Sequence, residues 1–153
     1  MHVEIQCLIL KGLGGFQVLE QKAITFKDLL EIPFEFGKTD CWWLVREVFS
    51  RYGIIIPDYS ASRKAVADYN LLRISKEMEY HKSFWVKIEE PEVPCIVALS
   101  LGVPGFINHV GVYIGDGRFI HTTCMRGMVT NERIDTPIYR NKKFYRYDSN
   151  NSH

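Results

Sequence analysis

The stretch Thr39-Asp40-Cys41-Trp42-Trp43-Leu44-Val45-Arg46-Glu47-Val48-Phe49-Ser50-Arg51-Tyr52-Gly53 decides how this chain is read. Counting from Cys41, apolar residues recur at Leu44, Val45, Val48, Phe49 and Tyr52, which is the stripe of one helix face. Thr39 and Asp40 are residue types that cap a helix N-terminus, and Gly53 supplies a stop at the other end. Cys41 is therefore expected in the first turn. Unpaired backbone N–H groups and the positive end of the helix dipole there favour thiolate over thiol. The plainer alternative is a small buried residue on a core stripe, and a cysteine with no partners would not rise above it.

Partners are offered downstream by Asn108-His109-Val110-Gly111-Val112-Tyr113-Ile114-Gly115-Asp116-Gly117-Arg118-Phe119-Ile120-His121. This reads as two short strands joined by a Gly-Asp-Gly turn. His109, Gly111 and Tyr113 share one face of the first strand, and Val110, Val112 and Ile114 the other. A register that sets Gly111 opposite His121 makes His109 and His121 diagonal neighbours, about 7–8 Å apart at the backbone and within reach for imidazoles. A slip of one residue sends His121 to the opposite face. Cysteine, histidine and a second polar residue on the next strand form an arrangement for nucleophilic catalysis: the base takes the thiol proton and the third group orients the base. The expected catalytic set is Cys41, His109 and His121, with the backbone N–H of Cys41 as oxyanion donor. Asp40, Trp42 and Trp43 flank the thiol and are expected to line the oxyanion and substrate cleft.

These blocks resemble the NlpC-type cell-wall peptidases, papain-like cysteine hydrolases of peptidoglycan. The resemblance lies in Asp40-Cys41 with Leu44-Val45 behind, His109-Val110-Gly111-Val112-Tyr113, and Gly115 to His121, and it runs from about Pro33 to about Ile134. It implies a papain-like α+β fold with N-terminal helices packed on an antiparallel sheet. It also implies cleavage of a peptidoglycan stem peptide between γ-D-glutamate and the diamino acid, with no cofactor. Trp42, Val45-Arg46-Glu47-Val48 and Gly53-Ile54-Ile55-Ile56-Pro57-Asp58-Tyr59 look like the phage and prophage tail-assembly branch, which implies other tail proteins as partners. Three departures stand out. Trp43 occupies a position where the family usually has glycine, Pro94-Cys95 one where a core strand usually opens with Gly-Asp, and the segment Pro33 to Lys38 offers no tyrosine toward the oxyanion. A structural tail-tip protein that keeps the peptidase fold with little or no catalysis is the competing reading: Trp43 favours it, the intact Cys-His-His set opposes it. Acyl transfer or amidase chemistry would fit the same constellation.

Composition agrees with one domain over 1–148 and a flexible polar tail over 149–153. The 153 residues are 46% hydrophobic, enough for a sizeable core. With 19 basic and 18 acidic residues there is no general pull toward nucleic acid or a membrane surface. The N-terminus lacks the charged-then-apolar pattern of a signal peptide, and no stretch suits membrane insertion. The expected location is a phage virion tail, or the host cytoplasm before assembly. Cys7 and Cys95 fall in strand-like apolar runs and read as core. Cys124 lies near His121 and raises a zinc site with Cys41 and His109, but the spacing has no Cys-x-x-Cys or His-x-x-x-His pair, so the expectation is no metal. The periodicity further predicts a strand over 3–10, a short helix at Phe26–Leu30 capped by Thr25, and a helix from about Ser62 to Tyr80. Strands are expected near Phe84–Ile88, Cys95–Leu101, Asn108–Ile114, Phe119–Thr123 and Phe144–Tyr147.

Overall fold

The computed structural model describes residues 23–58, 78, 79, 81–102 and 104–151. Helix α1 (Cys41–Arg51) starts and stops where its caps require. Asp40, in an extended conformation, accepts a hydrogen bond from Trp43 N at its Oδ1 (3.0 Å) and from Gly37 N at its Oδ2 (3.1 Å). Gly53, at φ 76°, donates its N–H to Ser50 O at 3.0 Å and ends the helix in the left-handed turn that glycine favours. The predicted stripe is the buried one: Leu44, Val45, Val48 and Phe49 are all but inaccessible.

Among the described residues six strands follow: β1 (Trp85–Ile88), β2 (Cys95–Leu99), β3 (His109–Gly115), β4 (Arg118–Thr122), β5 (Val129–Arg133) and β6 (Lys142–Tyr147). They form one sheet in the order β1-β6-β2-β3-β4-β5, with every neighbouring pair antiparallel. β2 is buried along its whole length because both faces of the sheet are covered. Ile96 and Ala98 join Val110, Val112 and Ile120 beneath α1, while Cys95, Val97 and Leu99 join Phe119, Tyr139 and Phe144 on the other side. Trp85 closes the α1 side, meeting Trp42 and Phe49 edge-on at ring-centroid distances of 6.0 and 6.1 Å. The architecture is α+β, the class the sequence led us to expect; among the described residues it is helix α1 packed on a six-stranded antiparallel sheet. No helix among the described residues is long and apolar enough to cross a membrane.

Several local expectations differ from the structure. Phe26–Leu30 forms turns rather than a helix: Leu29 N bonds Phe26 O (2.9 Å), Ile32 N bonds Leu29 O (3.3 Å), and Glu31 takes φ 68°. Five residues make too few hydrogen bonds to offset helix nucleation. Strand β5 was not anticipated. Ser149–Asn151, expected in the tail, make a single 3-10 turn. The strand expected over 3–10 lies outside the described residues, as does the helix expected over 62–80 apart from Met78 and Glu79, both helical.

The lead-in to α1 is stitched to the far end of the sheet. Glu31 N bonds Val129 O (3.0 Å), Val129 N bonds Ile32 O (2.9 Å), Pro33 and Met128 form an antiparallel bridge, and Phe34 N bonds Gly127 O (2.9 Å). The segment that delivers Cys41 is thus tied to the turn that follows His121 along the chain.

Candidate active site

The hairpin β3–β4 settles the register question. Val112 pairs with Ile120 and Tyr113 with Phe119, and the same register sets Gly111 opposite His121. A one-residue bulge after Tyr113 then leads into Gly115-Asp116-Gly117, all three at positive φ, and Tyr113 Oη accepts the Gly117 N–H at 3.1 Å. His109 Nε2 lies 2.9 Å from His121 Nδ1, a direct hydrogen bond between two buried imidazoles. Gly111 makes this possible, because His121 leans over it. A Cβ at Gly111 would sit 2.8 Å from His121 Cβ, from the Ile120 carbonyl oxygen and from the Phe119 ring.

Burial acts on both rings. His109 is held far below the ordinary imidazole value by burial and then by the like charge of His121. His121 is also held down by burial. The Glu132 charge and hydrogen-bonding capacity pull it back up in part, and the Arg126 charge opposes that recovery. Both histidines are therefore neutral in the resting protein near pH 7, and each ring presents one donor and one acceptor. His121 packs on Phe119, with centroids 4.4 Å apart, and meets Tyr139 edge-on at 5.5 Å.

Sequence reading missed the group behind His121. On β5, Thr130 pairs with His121, so Glu132 is its diagonal neighbour on the side away from His109. Glu132 Oε1 lies 3.6 Å from His121 Nε2. The carboxylate is held by Arg126 (Nε to Oε1 2.9 Å), by Thr130 Oγ1 (3.3 Å) and by a short hydrogen bond from Tyr139 Oη. Burial alone would raise its carboxyl. The Tyr139 hydrogen bond and the charges of His121 and Arg126 outweigh that and keep it below the usual range. The only signal for it in the sequence was thin, a β-branched pair, Val129-Thr130, after Gly127.

Cys41 is the first residue of α1 and half-buried, and α1 packs against β3 and β4, which carry the two histidines. Of the residues expected around the thiol, Asp40 is almost fully buried, with its carboxylate bonded to Trp43 N and Gly37 N as the helix cap. Trp42 turns into the core, where its indole N–H donates to Pro57 O at 3.2 Å. Trp43 is half-buried and packs on the same core cluster. The other thiols contrast with Cys41: burial pushes Cys95 up to about 11, and Cys124 is exposed in the turn after β4. Cys7 lies outside the described residues. Among the described residues no group of three or more His, Cys, Asp or Glu side chains could hold a metal ion.

Residues 31–147 match the profile of the NlpC/P60 family. The chain belongs to that family. The NlpC/P60 match takes in Cys41, both histidines and Glu132. Two solved structures share the fold. NlpC1 from Trichomonas vaginalis is 19% identical, with a TM-score of 0.53 over 79% of this chain and 41% of its own. An NlpC/P60 family protein from Bacillus cereus is 21% identical, with a TM-score of 0.53 over 79% of this chain and 37% of its own. This NlpC/P60 chain thus spans about two-fifths of the length of these structures. No curated protein matches the chain.

Proposed function

We propose that the chain is a cysteine peptidase that hydrolyses peptidoglycan stem peptides at the bond between γ-D-glutamate and the diamino acid. Its proposed setting is a phage or prophage tail, among other tail proteins. The observation that carries the chemistry is the buried His109–His121 hydrogen bond, a base held by a second ring on the strands against which the Cys41 helix packs. Membership of the NlpC/P60 family supports cell-wall peptidase activity, and the resemblance of Trp42 to Tyr59 supports the tail setting.

In this reading His109 takes the Cys41 proton, and the thiolate attacks the amide carbonyl. The backbone N–H of Cys41 stabilises the oxyanion. The protonated His109 returns its proton to the leaving amine, and water then hydrolyses the thioester. By the alternation of β3, His109 points to the sheet face away from Val110 and Val112, which lie under α1. Because it is the first residue of β3, this reading requires the thiol to reach it around the end of the strand rather than across the sheet.

The test is digestion of purified peptidoglycan by wild-type and Cys41→Ala protein, with mass analysis of the fragments. Wild type is expected to release peptides with new γ-D-glutamyl termini, and Cys41→Ala to release none. The same fragments from both proteins would end the cysteine-peptidase reading. Release by neither, from folded protein, would favour the structural tail-tip alternative.

A further inference from the structure

We propose that Glu132 is a positioning residue: its carboxylate dictates which nitrogens of His121 and His109 carry protons, and so leaves His109 Nδ1 bare to accept the thiol proton. The inference rests on the cysteine-hydrolase reading only for the identity of that final proton donor.

His109, His121 and Glu132 form a diagonal row across β3, β4 and β5. The residue directly opposite His121 is small on each side, Gly111 on β3 and Thr130 on β5, and the larger groups arrive one diagonal step away in opposite directions. His121 Nε2 is buried and makes no hydrogen bond within normal distance. The group it faces is Glu132 Oε1, at 3.6 Å. That spacing is long for a hydrogen bond and typical of a charge partner. An ionised carboxylate has only lone pairs to offer. A bare Nε2 would set two acceptors against each other in a buried space, so Nε2 carries the proton. His121 Nδ1 is then an acceptor, and His109 Nε2, 2.9 Å away, must donate to it. A neutral ring has one N–H, so His109 Nδ1 is left with its lone pair. One fixed acceptor thus sets two tautomers in sequence.

Glu132 is suited to this because it stays ionised and cannot swing. Arg126 from the β4–β5 turn, Thr130 from β5 and Tyr139 from the Pro137–Tyr139 turn hold both its oxygens. The titratable and charged groups around His121 are therefore His109, Glu132, Arg126 and Tyr139. When the pair takes up a proton, the positive charge gains Glu132 as counter-charge on the side of His121 away from His109. Arg126 tempers that attraction without cancelling it, being half-exposed where Glu132 is mostly buried.

The test uses the full chain labelled with 15N at histidine. Near neutral pH, NMR should show Nε2–H and bare Nδ1 on both His109 and His121. An Nδ1–H on His109 in the wild type overturns the proposal, whatever any variant does. Glu132→Gln keeps an acceptor but removes the charge. It should retain these tautomers and slow iodoacetamide alkylation of Cys41 at pH 7 about tenfold, the equivalent of about one pKa unit lost by the histidine pair. Glu132→Ala should give mixed tautomers. A merely structural role would lower the melting temperature yet leave the tautomers and the pH profile of alkylation unchanged, and that result also overturns the proposal. Neither readout needs peptidoglycan. Absence of cell-wall cleavage with the expected tautomers would count against the proposed function alone, and cleavage with the wrong tautomers against Glu132 alone.

Discussion

Gly111 shows how much one missing methyl group can decide. The sequence suggested His109 and His121 as partners but left two registers open, and they differ in the face on which His121 lies. The structure closes that choice around a residue with no side chain. The clash at this glycine is steric rather than conformational, since its φ is not positive. Two of the three obstructing groups, a carbonyl oxygen and a Cβ, belong to or sit next to the β4 backbone and have little freedom to move. Gly111→Ala is therefore expected to cost about 1–3 kcal/mol, the usual range for overpacking. It should also spread the two imidazoles apart, so chemical denaturation should register the loss together with a slower reaction of Cys41 with iodoacetamide. An alanine variant as stable as wild type would mean that β3 and β4 separate more easily than their register suggests.

At the scale of elements, what could be read in the sequence follows burial. Helix α1 was legible to within a residue because its apolar stripe is complete and both ends carry capping chemistry. Strands β2, β3 and β4 were legible too: β2 is an unbroken apolar run, and β3 and β4 flank the Gly-Asp-Gly turn with apolar residues on either side. Strand β5 was not, because Val129-Thr130-Asn131-Glu132-Arg133 holds one apolar residue, and what orders it is pairing with β4. The part of the candidate site that it carries, Glu132, was hidden with it. Asp40 lies between the two cases: its type marked it as a cap, and its nearness to Cys41 marked it for the cleft. As a cap that is almost fully buried and also holds Gly37, it should be costly to remove. Asp40→Ala is expected to lose about 1–2 kcal/mol, toward the upper end for N-caps, with Asp40→Asn losing less. Urea midpoints of the two variants would check this. Equal midpoints for wild type and Asp40→Ala would mean that the backbone holds the helix start without the carboxylate.

For the molecule as a whole, the buried histidines make stability depend on pH. Both have folded-state values well below 6.5, so below pH 6.5 the unfolded chain binds protons that the folded chain refuses. Stability from this source is complete above about pH 6.5 and falls as the pH drops below it, by about 1.4 kcal/mol per histidine for each further unit until the folded rings themselves titrate. Denaturation midpoints measured between pH 7.5 and 5 should fall accordingly, and a His109→Gln/His121→Gln double variant should flatten the slope. The same slope in that variant would assign the acid sensitivity to other groups.

The diagonal row across β3, β4 and β5 also bears on which changes in loop length the family's history can tolerate. Each step of the row depends on the parity of a connection: the bulged Gly115–Gly117 turn on one side, the Thr123–Met128 turn on the other. Loss or gain of a single residue in either would turn one member of the row to the opposite face while leaving every side chain in the sequence intact. Length changes in the connection between β5 and β6 leave the faces of the row unchanged, since no member lies beyond it, and act only through Tyr139, which holds Glu132. A one-residue gap at either of the first two turns would therefore take the row apart even in a chain that keeps Cys41, His109 and His121.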